Sequence, residues 1–191
     1  MSQSLPPDYF DRLYQEHEDP WNFETSDYER DKYAATLAAL PNRQYQNAFE
    51  VGCSIGVLTK QLAGRCQRLL AVDGSEAPLR RAGERLDEEK HVRLETMRVP
   101  DAFPDDRYDL IVLSEVGYYW SWEDLALAQQ KIMDALLPGG HLLLVHWILP
   151  TNYPLTGDEV HDAFVRFSPS LQHRYQQRTQ QYRLDRWERK A

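Results

Sequence analysis

The stretch FEVGCSIGVLT, Phe49–Thr59, decides the fold. Its first residues read as a short buried strand that runs into a glycine-containing loop, with Thr59 and Lys60 already in a helix. The loop, Gly52-Cys53-Ser54-Ile55-Gly56, lacks the middle glycine of a dinucleotide fingerprint, and Glu50 stands just ahead of its first glycine. The same alternation continues outward. RLLAVDGS is a second buried strand, and SEAPLRRAGERLDEE is a helix with a Ser75 cap. HVRLETMRV alternates as a third strand, YDLIVLSEV is an apolar fourth, and HLLLVHWIL is a fifth. Before that fifth strand, SWEDLALAQQKIMDALLPGG reads as a helix closed by Pro138-Gly139-Gly140. Apolar strands alternating with helices imply an α/β fold, a mostly parallel sheet with helices on its faces.

The two ends depart from this rhythm. Residues 8–18 and 27–40 are expected as helices, the second capped by Ser26 or Asp27 and stopped before Pro41, with the aromatic loop DPWNFETS between them. After a short helix near TGDEVHDAFVRF, the segments LQHRYQQR and QYRLDRWER are separated by too few residues for a helical crossover. They should pair as an antiparallel hairpin. The basic character of this C-terminal stretch is read as a solvated strand pair rather than a nucleic-acid arm.

The first strand-to-helix turn of a doubly wound sheet is a ligand position, beyond the carboxyl ends of the strands. The second strand ends in Asp73, 21 positions after Gly52. An ionised carboxylate there can accept both hydroxyls of a ribose. NAD and S-adenosylmethionine both carry that ribose. A pyrophosphate prefers the complete G-x-G-x-x-G turn and would be repelled by Glu50, whereas an ammonium and a sulfonium would welcome it. The E-x-G-x-x-x-G spacing therefore favours S-adenosylmethionine.

Composition bounds the rest. The chain has 191 residues, 42% hydrophobic and 27% charged, which suits one globular domain. A formal charge of −8 argues against general nucleic-acid or anionic-membrane partners. The two cysteines, Cys53 and Cys66, are too few for a disulfide framework or a thiolate metal site, and no metal is expected. The polar, acidic N-terminus does not read as a signal peptide, and no apolar run is long enough to cross a bilayer, so a cytoplasmic protein is expected.

FEVGCSIGVLT, LLAVDGSEAPL, YDLIVLSEVGYYW and LLPGGHLLLVHW, in that order and spacing, resemble the motifs of class I S-adenosylmethionine-dependent methyltransferases. DPWNFETSDYERDKYAATLAAL together with SEVGYYW is similar to the rhizobial nodulation protein S group, whose members N-methylate the free amine of a deacetylated chitooligosaccharide. The resemblance implies a Rossmann-like sheet of seven strands with an antiparallel C-terminal hairpin. Within the expected single domain, the aromatics crowded before the first strand suggest residues 1–46 as a helical lid, with 47–191 as the cofactor-binding core. Glu50, Gly52, Cys53 and Gly56 would line the methionine part of the cofactor. Asp73 would hold the ribose, with Gly74 and Ser75 beside the adenine. Many relatives place an aspartate at the end of the third strand; here Met97 or Arg98 takes its place. Ser114 would contact the cofactor backbone.

In-line methyl transfer needs positioning and desolvation, and a base only where the acceptor must lose a proton. Glu115, just past the fourth strand, is the first candidate to orient or deprotonate an acceptor. His146, ending the fifth strand, is either a general base or a core histidine; His141 should point to the opposite face, so the two form no metal pair. Tyr118, Tyr119 and Trp147 offer aromatic faces to a cation or a sugar, and Trp122 is expected in the core. His161, near Tyr153, Asp158 and Glu159, is either part of a His–carboxylate site or one residue of an ordinary helix start. In the N-terminal region, Trp21, Tyr28 and Tyr33, with Arg30, are expected to face the acceptor. The leading expectation is methyl transfer from S-adenosylmethionine to a nitrogen or oxygen of a small molecule or saccharide, with an aminosugar suggested by the resemblance. Two other readings remain open. One is a nicotinamide-dependent oxidoreductase; the other is a non-catalytic binding module.

Overall fold

Strands whose residues are buried in succession need cover on both faces, and β1 (Ala48–Val51) is buried at every position. The structure is a computed structural model that describes residues 3–6, 8–167 and 169–191. Its seven strands form one mixed sheet in the order β3-β2-β1-β4-β5-β7-β6. The chain divides into two compact units, one of Pro6–Arg98 and one of Val99–Ala191 joined by the described residues before Pro6.

In the first unit β1 pairs in parallel with β2 (Leu69–Asp73), and β2 with β3 (Val92–Thr96). Phe49, Ile55, Leu62, Ala71, Val72 and Ala82 are shut off from solvent. Helices α3 (Val57–Ala63) and α4 (Glu76–Arg85) follow the first two strands, and α4 starts at the expected Ser75 cap. The N-terminal helices are α1 (Asp8–Glu16) and α2 (Asp27–Ala38), each ending two residues short of its expected end. Ser26 caps α2 by accepting from the Glu29 N–H. Between them the Asp19 carboxylate accepts from the N–H groups of Phe23 and Glu24, which closes the DPWNFETS loop into a turn.

The second unit contains β4 (Tyr108–Ser114), α5 (Trp122–Ala135), β5 (Leu136–Trp147), α6 (Gly157–Val165) and the hairpin β6 (Leu171–Arg178) and β7 (Tyr182–Arg189). β4 and β5 are parallel, whereas β7 is antiparallel to both β5 and β6. The expected hairpin is therefore present, and it brings one correction. β7 lies between β5 and β6, so Arg183, Leu184, Asp185 and Trp187 are buried, and of the two hairpin strands β6 alone is a solvated edge.

Two further readings change. α5 stops at Ala135, before the Pro138-Gly139-Gly140 segment, because Leu136 is already extended and pairs with Tyr108. Trp122 is not in the core: it is 39% exposed at the first turn of α5, with the Arg166 guanidinium over its ring. Among the described residues no helix is long and apolar enough to cross a membrane.

Candidate functional site

In the first unit the glycine turn is held in an unusual backbone shape. Gly52, Ser54 and Gly56 have φ of 79°, 49° and 77°. Gly56 is also tightly packed, since a Cβ there would lie 3.1 Å from the Ala82 Cβ. Ser54 adopts the left-handed region without that excuse, a cost that tends to be kept where function needs it. Its N–H donates to Asp73 Oδ2 (2.9 Å), and the Ser75 N–H donates to Oδ1 (2.9 Å). Both carboxylate oxygens are thus aimed by backbone, with lone pairs left for other donors. Burial outweighs these two bonds and lifts the Asp73 pKa to about 6.

Glu50 lies deeper, 1% exposed, and its Oε2 has no hydrogen-bond partner among the described residues. Burial raises its pKa to about 7, against the opposing effect of the nearby Thr59 hydroxyl. The Cys53 thiol is also pushed up by burial. Met97 follows β3 and donates its N–H to the Asp73 carbonyl (2.8 Å), while the half-exposed Arg98 lies against Gly74. Glu50, Gly52, Cys53, Gly56, Asp73, Gly74, Ser75, Met97 and Arg98 are thus all residues of one compact unit.

The sequence reading missed how α1 reaches this turn. Tyr14 Oη and Ser54 Oγ are 2.5 Å apart, and the Ser75 hydroxyl donates to Asp11 Oδ1 at 2.6 Å. Tyr14 is buried and meets Trp21 edge-on, and Trp21 in turn stacks on Phe23. Tyr33 is buried on α2, and Tyr28 is half-buried with the Lys32 ammonium 5.0 Å from its ring centroid. Arg30 instead faces solvent and pairs with Asp27, which removes it from the expected acceptor-facing set.

In the second unit the fourth strand ends at Ser114, 8% exposed, and passes to Glu115, which also has a left-handed φ of 58°. Its Oε2 accepts from the Tyr118 hydroxyl (2.6 Å) and from the Trp147 N–H (2.9 Å). Tyr118, Tyr119 and Tyr153 form an aromatic cluster, Tyr118 stacking on Tyr153 with centroids 5.1 Å apart. Burial raises the phenol pKa of both Tyr118 and Tyr119.

His146 and His161 are both fully buried. The Gly117 N–H donates to His146 Nε2 (3.1 Å), and His146 Nδ1 lies 3.1 Å from His161 Nε2. With both nitrogens engaged inside the fold, His146 has no lone pair for an acceptor, which corrects the general-base reading. His161 is likewise not a substrate contact. Its carboxylate partner is Asp185 of β7, with Nδ1 to Oδ2 at 2.6 Å. Glu159 closes the capping box of α6 with Thr156, and Asp158 pairs with Arg178 and Arg183. Asp185, Arg183 and His173 were not foreseen, because their signal is charge inside a strand taken as solvated.

The sequence model of one family, Nodulation protein S (NodS), matches residues 9–146. The chain belongs to the NodS family. It is 33% identical over 128 residues to Nodulation protein S of Rhizobium tropici, covering 66% of this chain and 54% of that protein. The chain thus spans about half the length of the NodS relatives it matches in sequence. The crystal structure of N-methyltransferase NodS from Bradyrhizobium japonicum WM9 with S-adenosyl-L-homocysteine superposes with a TM-score of 0.84 at 23% identity, covering 95% of this chain and 98% of that one. At that identity the likeness carries the fold. A putative methyltransferase from Pseudomonas syringae is 38% identical, with a TM-score of 0.74, over 85% of this chain and 99% of that one.

Proposed function

We propose that this NodS-family chain binds S-adenosylmethionine and transfers its methyl group to a nitrogen of a small amine, with an aminosugar as the favoured acceptor. The observation that carries the reading is Glu50. A carboxylate buried to 1% exposure, with one oxygen unpartnered among the described residues, is costly by itself and suited to a cation, here the ammonium of the methionine end. A pyrophosphate would meet that carboxylate as a like charge. The cofactor supplies a methyl group on positively charged sulfur.

The chain's own residues do the remaining work. Asp73 accepts the ribose hydroxyls, with Gly74, Ser75, Met97 and Arg98 beside the adenine. Gly52, Cys53 and Gly56 let backbone approach the methionine end, and Ser114 contacts it. α1 contributes Tyr14 and Asp11 as a lid over the glycine turn, which excludes water when the site is filled. An amine attacks only when neutral, so Glu115 orients the acceptor and takes the proton that its ammonium form sheds. Tyr118, Tyr119 and Trp147 supply aromatic surface for a cation or a sugar ring, with Trp21, Tyr28 and Tyr33 toward the acceptor. Two buried free cysteines agree with a reducing cytoplasm. Calorimetric titration with S-adenosylhomocysteine alongside NADH tests the reading. Binding of the first alone is expected, and the reverse would overturn it. Turnover of glucosamine oligomers, read as added methyl by mass spectrometry, tests the acceptor class.

A further inference from the structure

The turn that carries Glu115 and Tyr118 is fixed from behind by a buried chain of side chains with only one possible proton arrangement. It begins at a peptide N–H, which can only donate. Because the Gly117 N–H donates to His146 Nε2, that nitrogen carries no proton, and the single proton of a neutral ring must sit on Nδ1. Nδ1–H then donates to His161 Nε2, so His161 also carries its proton on Nδ1 and donates it to Asp185 Oδ2. A second proton on either ring would set two donors face to face. Asp185 is fully buried, and its other oxygen meets His173 at 2.8 Å on half-exposed β6, while the Arg183 Nε–H donates to Oδ2 at 2.8 Å. Burial lowers the His161 pKa, in agreement with a neutral ring.

Steric fit shows that the chain is built for this turn. A Cβ on Gly117 would lie 2.6 Å from Val160 of α6 and 3.2 Å from His146 Nε2. The His146 ring also meets the Tyr118 ring edge-on, with centroids 5.3 Å apart. We infer that His161 and Asp185 are positioning residues for methyl transfer: they fix the His146 tautomer, and His146 holds the Gly117 turn that aims Glu115 and Tyr118 at the acceptor. The catalytic part of this inference rests on the proposed function; the structural part does not.

The test uses the full chain. Nitrogen-15 spectra of the histidine rings are expected to give the neutral Nδ1–H tautomer for both His146 and His161. His161→Leu should release the Gly117 amide, raising its hydrogen exchange by about tenfold or more. His161→Gln, whose amide can both accept from His146 and donate to Asp185, should keep Gly117 protected. S-adenosylhomocysteine affinity should be the same in all three proteins. With a glucosamine oligomer as acceptor, His161→Leu should lower kcat by about 10- to 100-fold at unchanged KM for the cofactor, and His161→Gln should restore most of it. An Nε2–H tautomer at His146, or Gly117 exchange unaltered in a folded His161→Leu, would overturn the inference. Absence of turnover in the wild type with normal tautomers would overturn the acceptor class alone. Turnover unaltered in His161→Leu despite faster Gly117 exchange would overturn the positioning role.

Discussion

Glu50 sets function against stability at a single residue. Its pKa is about 7 in the folded chain against 4.5 for an ordinary glutamate, because burial penalises the charged form. The folded state therefore holds the proton more tightly than the unfolded state. Stability from this group is fully present below about pH 4.5 and is lost as pH rises through about 7. Glu50→Gln should leave stability near wild type at pH 4.5 and raise it by about 3 kcal/mol at pH 8, read by urea unfolding. The same variant should bind S-adenosylhomocysteine more weakly at pH 8. Wild-type affinity should fall as pH drops below about 7, and binding near that pH should release protons to buffer. Asp73, whose pKa is also raised by burial, adds to the same trend. Asp73→Ala should cost about 1–3 kcal/mol of cofactor affinity by calorimetry. Glu50 and Asp73 were legible in the sequence because both sit at fixed offsets from the glycine turn. Ser54 was not, because its importance lies in a φ of 49° and in the tyrosine of a distant helix.

At the scale of elements, α6 illustrates how far local signals reach. TGDE marked its start, and Thr156 and Glu159 do form the capping box. What could not be read was why glycine follows the cap. A Cβ on Gly157 would fall 2.2 Å from the Trp147 carbonyl oxygen and 3.0 Å from the His146 Cβ, so the helix meets β5 backbone through a missing side chain. Gly157→Ala should destabilise the chain by about 1–3 kcal/mol, measured by thermal or urea unfolding, although alanine is the better helix former. Contacts of this kind join residues remote in sequence and leave no periodic trace. The same limit explains β7. QYRLDRWER looks solvated by composition, and only the strand order, which puts it between β5 and β6, buries it.

For the molecule as a whole, the parallel strands were readable from apolar runs and the terminal hairpin from its short connection. The polar interior of the second unit was not. Asp185 accepts from Arg183 and meets both His161 and His173, and these partners hold its pKa well below the usual carboxylate range despite burial. Asp185→Ala should cost about 1–3 kcal/mol, because it leaves the buried His161 ring and the Arg183 Nε–H without their acceptor; equilibrium unfolding measures it. This cluster also bears on strand alignment. β6 reads LQHRYQQR and is exposed along most of its length, so apolar contacts give it little preference for one pairing over another. Sliding β7 by a single residue would turn Asp185 to the opposite side of the sheet, away from His161 of α6. The buried aspartate thus acts as a key that fits in one position only, and it lets a polar hairpin close the fold without slipping.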